Sequence, residues 1–171
     1  MMTMTLTLLL LSLLMAEGAL ACTLPEPSTE NFNISTAHKT WYEQYRYPML
    51  AMDLQGCLTI TQDPGKSNDT MSLRGYFSHN SLFPVTASAT LKGNQLQTKY
   101  DGIFGWMISG PRNIVYINDD FYIDHYCMLG TEVSTIFTAD KSPSDEVMKQ
   151  VWEVVANHTE VDKSRYLRIF C

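Results

Sequence analysis

The side chains with chemistry to offer are few and scattered. Four histidines (His38, His79, His125 and His158) share no metal-ligand spacing, and partial exposure is expected for His79 and His125 on their strands. The acidic run Asp119-Asp120, with Asp124 close behind, has the composition to hold a cation or a biogenic amine through charge pairing and hydrogen bonds. A solvated turn is the plainer reading and the favoured one. No G-x-S-x-G elbow, phosphate-cradling loop or H-E-x-x-H motif occurs, so no catalytic residue, metal or cofactor is expected.

The four cysteines (Cys22, Cys57, Cys127 and Cys171) are even in number and widely spaced, without the close C-x-x-C pairs of a structural zinc site. In an oxidising compartment they predict two disulfides, with three pairings open. The start of the chain points to that compartment. Residues 4–15 are almost wholly apolar but too short to span a bilayer, and they lead to Ala19-Leu20-Ala21, a small-x-small cleavage pattern just before Cys22. A signal peptide over 1–21 and one secreted, extracellular domain over 22–171 are expected. The leader lacks Lys and Arg; a lipoprotein signal, the rival, would want Leu where Ala19 stands.

The whole chain carries a formal charge of −6, which becomes −5 when Glu17 leaves with the leader. Such a chain offers no basic face to nucleic acid or to an anionic membrane, and no later apolar run is long enough to cross one. Three acceptor sites for N-glycans, at Asn33, Asn68 and Asn157, fit secretion from a eukaryotic cell and require surface positions.

The elements that must position these residues are mostly strands. Short alternating or β-branched segments fall at 41–47, 56–62, 70–77, 85–92, 95–100, 113–118, 121–129 and 132–139. Turn chemistry separates them, as in Asp63-Pro64-Gly65, Lys92-Gly93-Asn94 and Asn118-Asp119-Asp120. Ser142 then reads as a helix N-cap with Pro143 at the first helical position, followed by an apolar stripe through Val147, Val151, Val154 and Val155. A short apolar strand near 165–170 ends the chain. Eight strands with hairpin-length gaps suit a sandwich or an up-and-down barrel, and the single late helix favours the barrel.

Residues 31–48 carry a family resemblance. Phe32 precedes the triplet Trp41-Tyr42-Glu43 by nine positions, and Pro48 follows the tryptophan by seven. This resembles the first signature of the lipocalins, in the form found in the apolipoprotein D and insect bilin-binding branch. Gly56-Cys57, and Asp120 through Cys127, resemble later landmarks of that branch. Lys39 stands where the family has a Gly two residues before the Trp. The segment Ile136-Phe137-Thr138-Ala139 lacks the family's Arg, which lies over the signature Trp as a cation–π partner; Lys141 or Arg168 is the candidate to replace it.

The resemblance implies an all-β fold: an eight-stranded antiparallel up-and-down barrel, with one C-terminal helix packed outside and a short final strand. It implies the pairing Cys22–Cys127 and Cys57–Cys171. It also implies a carrier that buries a small hydrophobic molecule, such as a bilin, retinoid, sterol or fatty acid, in the barrel. Trp41, Tyr45, Tyr47, Phe104, Trp106, Phe121 and Ile123 are the residues expected to contact it. The loop from Gly102 to Ile108 is a cavity lid, a partner contact, a membrane-touching tip or a loop folded back on the barrel. The alternatives to a carrier are a lipocalin acting on a macromolecular partner, as an inhibitor or effector, and a scavenger of biogenic amines.

Overall fold

The computed structural model of the chain describes residues 32–103 and 105–170, together with Cys22, Leu24 and Pro27. The expected leader, Phe104 and Cys171 lie outside the described residues. Eight strands follow one another: β1 (Thr40–Arg46), β2 (Leu58–Pro64), β3 (Thr70–Phe77), β4 (Asn80–Lys92), β5 (Gln95–Tyr100), β6 (Gly110–Ile117), β7 (Phe121–Met128) and β8 (Thr131–Thr138). Each pairs antiparallel with the next, and β8 returns to β1, which closes the barrel. Closure removes the free sheet edges that would otherwise template aggregation. A two-residue β9 (Leu167–Arg168) pairs with Tyr45 and Arg46, at the end of β1 that β2 does not reach.

Period-two patterning makes the wall. In β3, Met71, Leu73 and Gly75 are buried while Ser72, Arg74 and Tyr76 face out. Strand β4 starts five residues ahead of the expected Val85, at Asn80. Pro84 reads as a strand breaker, but it stands where the β3–β4 register shifts, between the Gly75 and Phe77 pairings. In β7 both faces are buried, because a helix covers the outer one.

That helix, Asp145–Asn157, begins later than its sequence signals imply. Ser144 is the N-cap, its hydroxyl accepting from the Val147 amide at 3.3 Å. Ser142 precedes Pro143 and is thereby kept out of the helical region, and its amide donates to Asp140 Oδ1 at 2.9 Å. Asp145 and Glu146 complement the positive end of the helix dipole.

Apolar burial divides into separate clusters. Trp41, Ile60, Met71, Leu73, Ile114 and Phe137 fill the closed half of the barrel. A second cluster lies outside it, where Val151 and Val155 of the helix press on Tyr47, Val115, Phe121, Ile123 and Ile136. A small third one, with Met49, Met52, Tyr126, Met128 and Val133, sits at the open end. The Cys22–Cys127 disulfide ties the N-terminal segment to β7 across 105 residues. Cys57 is disulfide-bonded as well, and its expected partner, Cys171, lies outside the described residues.

Candidate ligand-binding site at the open end of the barrel

The inner faces of β5, β6 and β7 converge on Arg112. In the β6–β7 register Arg112 stands opposite Tyr126, and Ile114 opposite Asp124, so Arg112 and Asp124 meet on the diagonal. Arg112 Nη1 donates to Asp124 Oδ2 at 2.7 Å, and Nη2 donates to the Tyr100 hydroxyl. The guanidinium also lies over the Tyr126 ring, 3.7 Å from its centroid. An ion pair therefore joins the neighbouring strands β6 and β7 on the inner wall, braced by a tyrosine of β5.

This layer separates two cavities. Below it a void of about 20 Å³ remains among Ile60, Leu73, Thr98, Tyr122 and Phe137, room for roughly one water. Above it lies a chamber of about 180 Å³, walled by Met49, Met52, Phe77, Val85, Ile108 and Met128 and floored by Tyr100, Arg112 and Tyr126. The chamber shares Gln55, Phe77, Val85, Tyr100 and Ile108 with a surface groove of about 600 Å³, which is its way out to solvent. Apolar walls with a few convergent polar groups are the usual make-up of a small-molecule site.

A short helical turn between β1 and β2, α1 (Leu50–Asp53), roofs the chamber. Met49 and Met52 point in, whereas Leu50 and Leu54 are 75% and 70% exposed. Arg46 pins this lid to the wall. It donates to Glu43 at 2.8 Å, to Asp53 at 3.0 Å and to the Gly56 carbonyl at 3.1 Å. Gly56, with φ of +80°, turns the chain back into β2, and a Cβ there would run into the Ser78 hydroxyl. Met52 Sδ in turn accepts from the Tyr126 hydroxyl of the floor.

Burial governs the charges. Desolvation pushes the Glu43 carboxyl up to about 7 against the opposing pull of Arg46. Desolvation also raises Asp124 above its ordinary value, opposed by the Arg112 charge and its hydrogen bond. The Tyr100, Tyr122 and Tyr126 hydroxyls are raised for the same reason and stay protonated at neutral pH.

The residues expected to contact a ligand are scattered across this frame. Trp41 is fully buried at the barrel's closed end, donating to the Ala37 carbonyl at 2.8 Å and meeting Tyr122 edge-on at 4.8 Å. Tyr45, Tyr47, Phe121 and Ile123 lie on the outer side, in the cluster beneath the long helix. Trp106, in a second short turn, α2 (Gly105–Ile108), is 76% exposed at the rim, and Phe104 lies outside the described residues. A β-bulge between Glu43 and Tyr45 explains the two tyrosines, since one extra residue turns the rest of β1 over. Arg112 and Tyr126 went unrecognised. The signal was a lone arginine in phase with Ile114, facing a strand of alternating Tyr122, Asp124 and Tyr126.

The acidic run splits. Asp119 and Asp120 are exposed in a turn capped by Asn118, whose Oδ1 accepts from the amides of Asp120 and Phe121, whereas Asp124 is inside the barrel. His79 is exposed, but His125 is only 1% exposed, because its outward face is covered by the C-terminal segment near Tyr47 and Tyr166. The cation over Trp41 is neither Lys141 nor Arg168. Lys39 fills that place, 5.2 Å from the ring centroid, while bonding Asp119 at 3.1 Å. Lys39 thus stands where the family's Gly is and supplies the missing cation. Asn33, Asn68 and Asn157 are all exposed.

Solved structures with the same architecture are numerous. Insecticyanin from the tobacco hornworm Manduca sexta matches with a TM-score of 0.68 at 12% identity, over 87% of this chain and 86% of that one. The amine-binding protein of Rhodnius prolixus matches at 0.61 and 9% identity, over 86% and 85%. A bovine lipocalin allergen matches at 0.57 and 9%, over 80% and 94%. No family model and no curated protein matches the sequence. The closed eight-stranded barrel with one outer helix is the lipocalin fold, and at these identities the likeness speaks for the fold alone.

Proposed function

We propose that this chain is a secreted carrier of a small, largely apolar ligand, bound in the chamber above Arg112. The observation that carries this reading is the chamber itself: about 180 Å³ with methionine and aromatic walls, a charged floor and an outlet groove. Burial drives binding, at about 25 cal/mol per Å² of apolar ligand surface before ordering costs. A volume this small favours a short chain or a compact ring over a bilin-sized guest.

A leader over 1–21, glycans on Asn33, Asn68 and Asn157, and a Cys57–Cys171 bridge belong to the same proposal. The rim residues Ile103 and Trp106, exposed beside the outlet, are candidates for first contact with the ligand or with a partner.

Amine binding is the second reading. The Rhodnius protein is an amine-binding protein solved with tryptamine, and Asp124 puts a carboxylate inside this barrel. Its weight is reduced by Arg112, which already neutralises that carboxylate at 2.7 Å.

The test is native mass spectrometry of the protein secreted from eukaryotic cells, followed by extraction of what co-purifies. A stoichiometric small apolar molecule is the expected result. A clean apo mass, with no change in tryptophan emission on adding apolar or amine ligands, would turn the reading to a macromolecular partner.

A further inference from the structure

We propose that the Arg112–Asp124 pair is the partition that sets ligand length: it stops a bound chain at the floor of the upper chamber and closes the lower half of the barrel to it. This rests on the carrier reading above. Leu58, Tyr100, Arg112 and Tyr126 line both cavities, so a single layer of side chains divides them. Within that layer Arg112 ties together Asp124 on β7 and Tyr100 on β5 while its flat face lies on Tyr126, and Leu58 of β2, four strands round the barrel, completes it.

The chemistry argues for a role in selection. A buried ion pair seldom stabilises a fold more than apolar residues of equal volume. The layer also holds an unsatisfied polar group. Thr98 Oγ1, on a residue lining the lower void, has no hydrogen-bond partner among the described residues. An apolar chain pushed below the layer would have to part the ions and bury them against hydrocarbon, a cost that grows with depth. A chain that stops above them meets only the methionine and aromatic walls.

The experiment compares the wild-type mature chain with the double variant Arg112→Met/Asp124→Asn, which removes both charges at nearly constant volume. The probes are 1-alkanols from hexanol to hexadecanol, titrated by calorimetry. Wild-type affinity should rise about fourfold per methylene and then level off at a short chain, while in the variant it keeps rising for several further carbons. Levelling at the same length in both chains overturns the partition. In wild-type protein, which needs no variant to fold, NMR contacts from the bound alkanol's terminal methyl should reach Val85 and Met128; contacts to Leu73 or Leu96 overturn the proposal. Binding of no alkanol by either chain overturns the carrier reading itself, a failure distinct from a shared length limit.

Discussion

The two faces of β7 are built on opposite plans. Outward, Phe121 and Ile123 are fully buried beneath the long C-terminal helix α3 (Asp145–Asn157), in a close-packed apolar cluster. Inward, Tyr122, Asp124 and Tyr126 carry hydroxyls and a carboxylate into a barrel that is only partly filled. The tight hydrophobic core of this strand lies outside the barrel. With stability held there, the interior is free to carry an ion pair and empty space, both of which a solid core would exclude.

Truncating the outer face should have the largest effect on stability and the least on binding. Phe121→Ala is expected to cost about 3–5 kcal/mol in urea unfolding, with ligand affinity of the folded protein unchanged. On the inner face, Arg112→Met alone leaves Asp124 buried and unpaired and should cost about 3 kcal/mol. Adding Asp124→Asn should restore most of that loss. If the double variant is as unstable as the single one, the ion pair is a structural necessity and the contrast between the faces fails.

A titration sharpens the contrast at the lid. Because burial lifts Glu43 to about 7 from an ordinary 4.5, the folded chain holds a proton there that the unfolded chain releases. Stability from this group is therefore full below about pH 4.5 and is lost as pH rises through about 7. The urea midpoint should fall between pH 5 and pH 7.5, and Glu43→Gln should flatten that slope. Asp124, also raised, contributes with the same sign.

Smaller effects are expected at the two ends of the barrel. Leu129 and Gly130 form the β7–β8 turn with φ of 52° and 75°, a left-handed pair in which leucine is strained. Leu129 lines the chamber, so Leu129→Asn should gain about 1 kcal/mol in thermal unfolding while weakening ligand binding. At the closed end, Lys39→Met should lose about 0.5–1 kcal/mol and leave affinity unaltered, because Trp41 lies below the partition. A change in affinity there would mean the ligand passes the partition and reaches the closed end.

Much of the fold is legible in the sequence. The Phe32, Trp41 and Pro48 spacing, the run of short strands and the late helix led to the barrel. The site was less so. Tyr45 continues the inward phase of Trp41 and Glu43 until the bulge turns it out, and nothing in the residues around Gln44 announces the extra step. In β7 both phases are apolar enough to be read as inward, and the more apolar one turned out to face the helix.

Strand number, turns, helix and their order follow from the chain alone, because period-two burial, turn chemistry and N-capping are local and act over a few residues. Which face of each strand looks into the barrel was decided only in three dimensions. A single bulge in β1, another in β6 between Ile114 and Tyr116, and the docking of α3 on one side of the wall set that parity. Since one residue of slip exchanges the two faces of a strand, the meeting of Arg112 with Asp124, and with it the shape of the chamber, belongs to the tertiary structure.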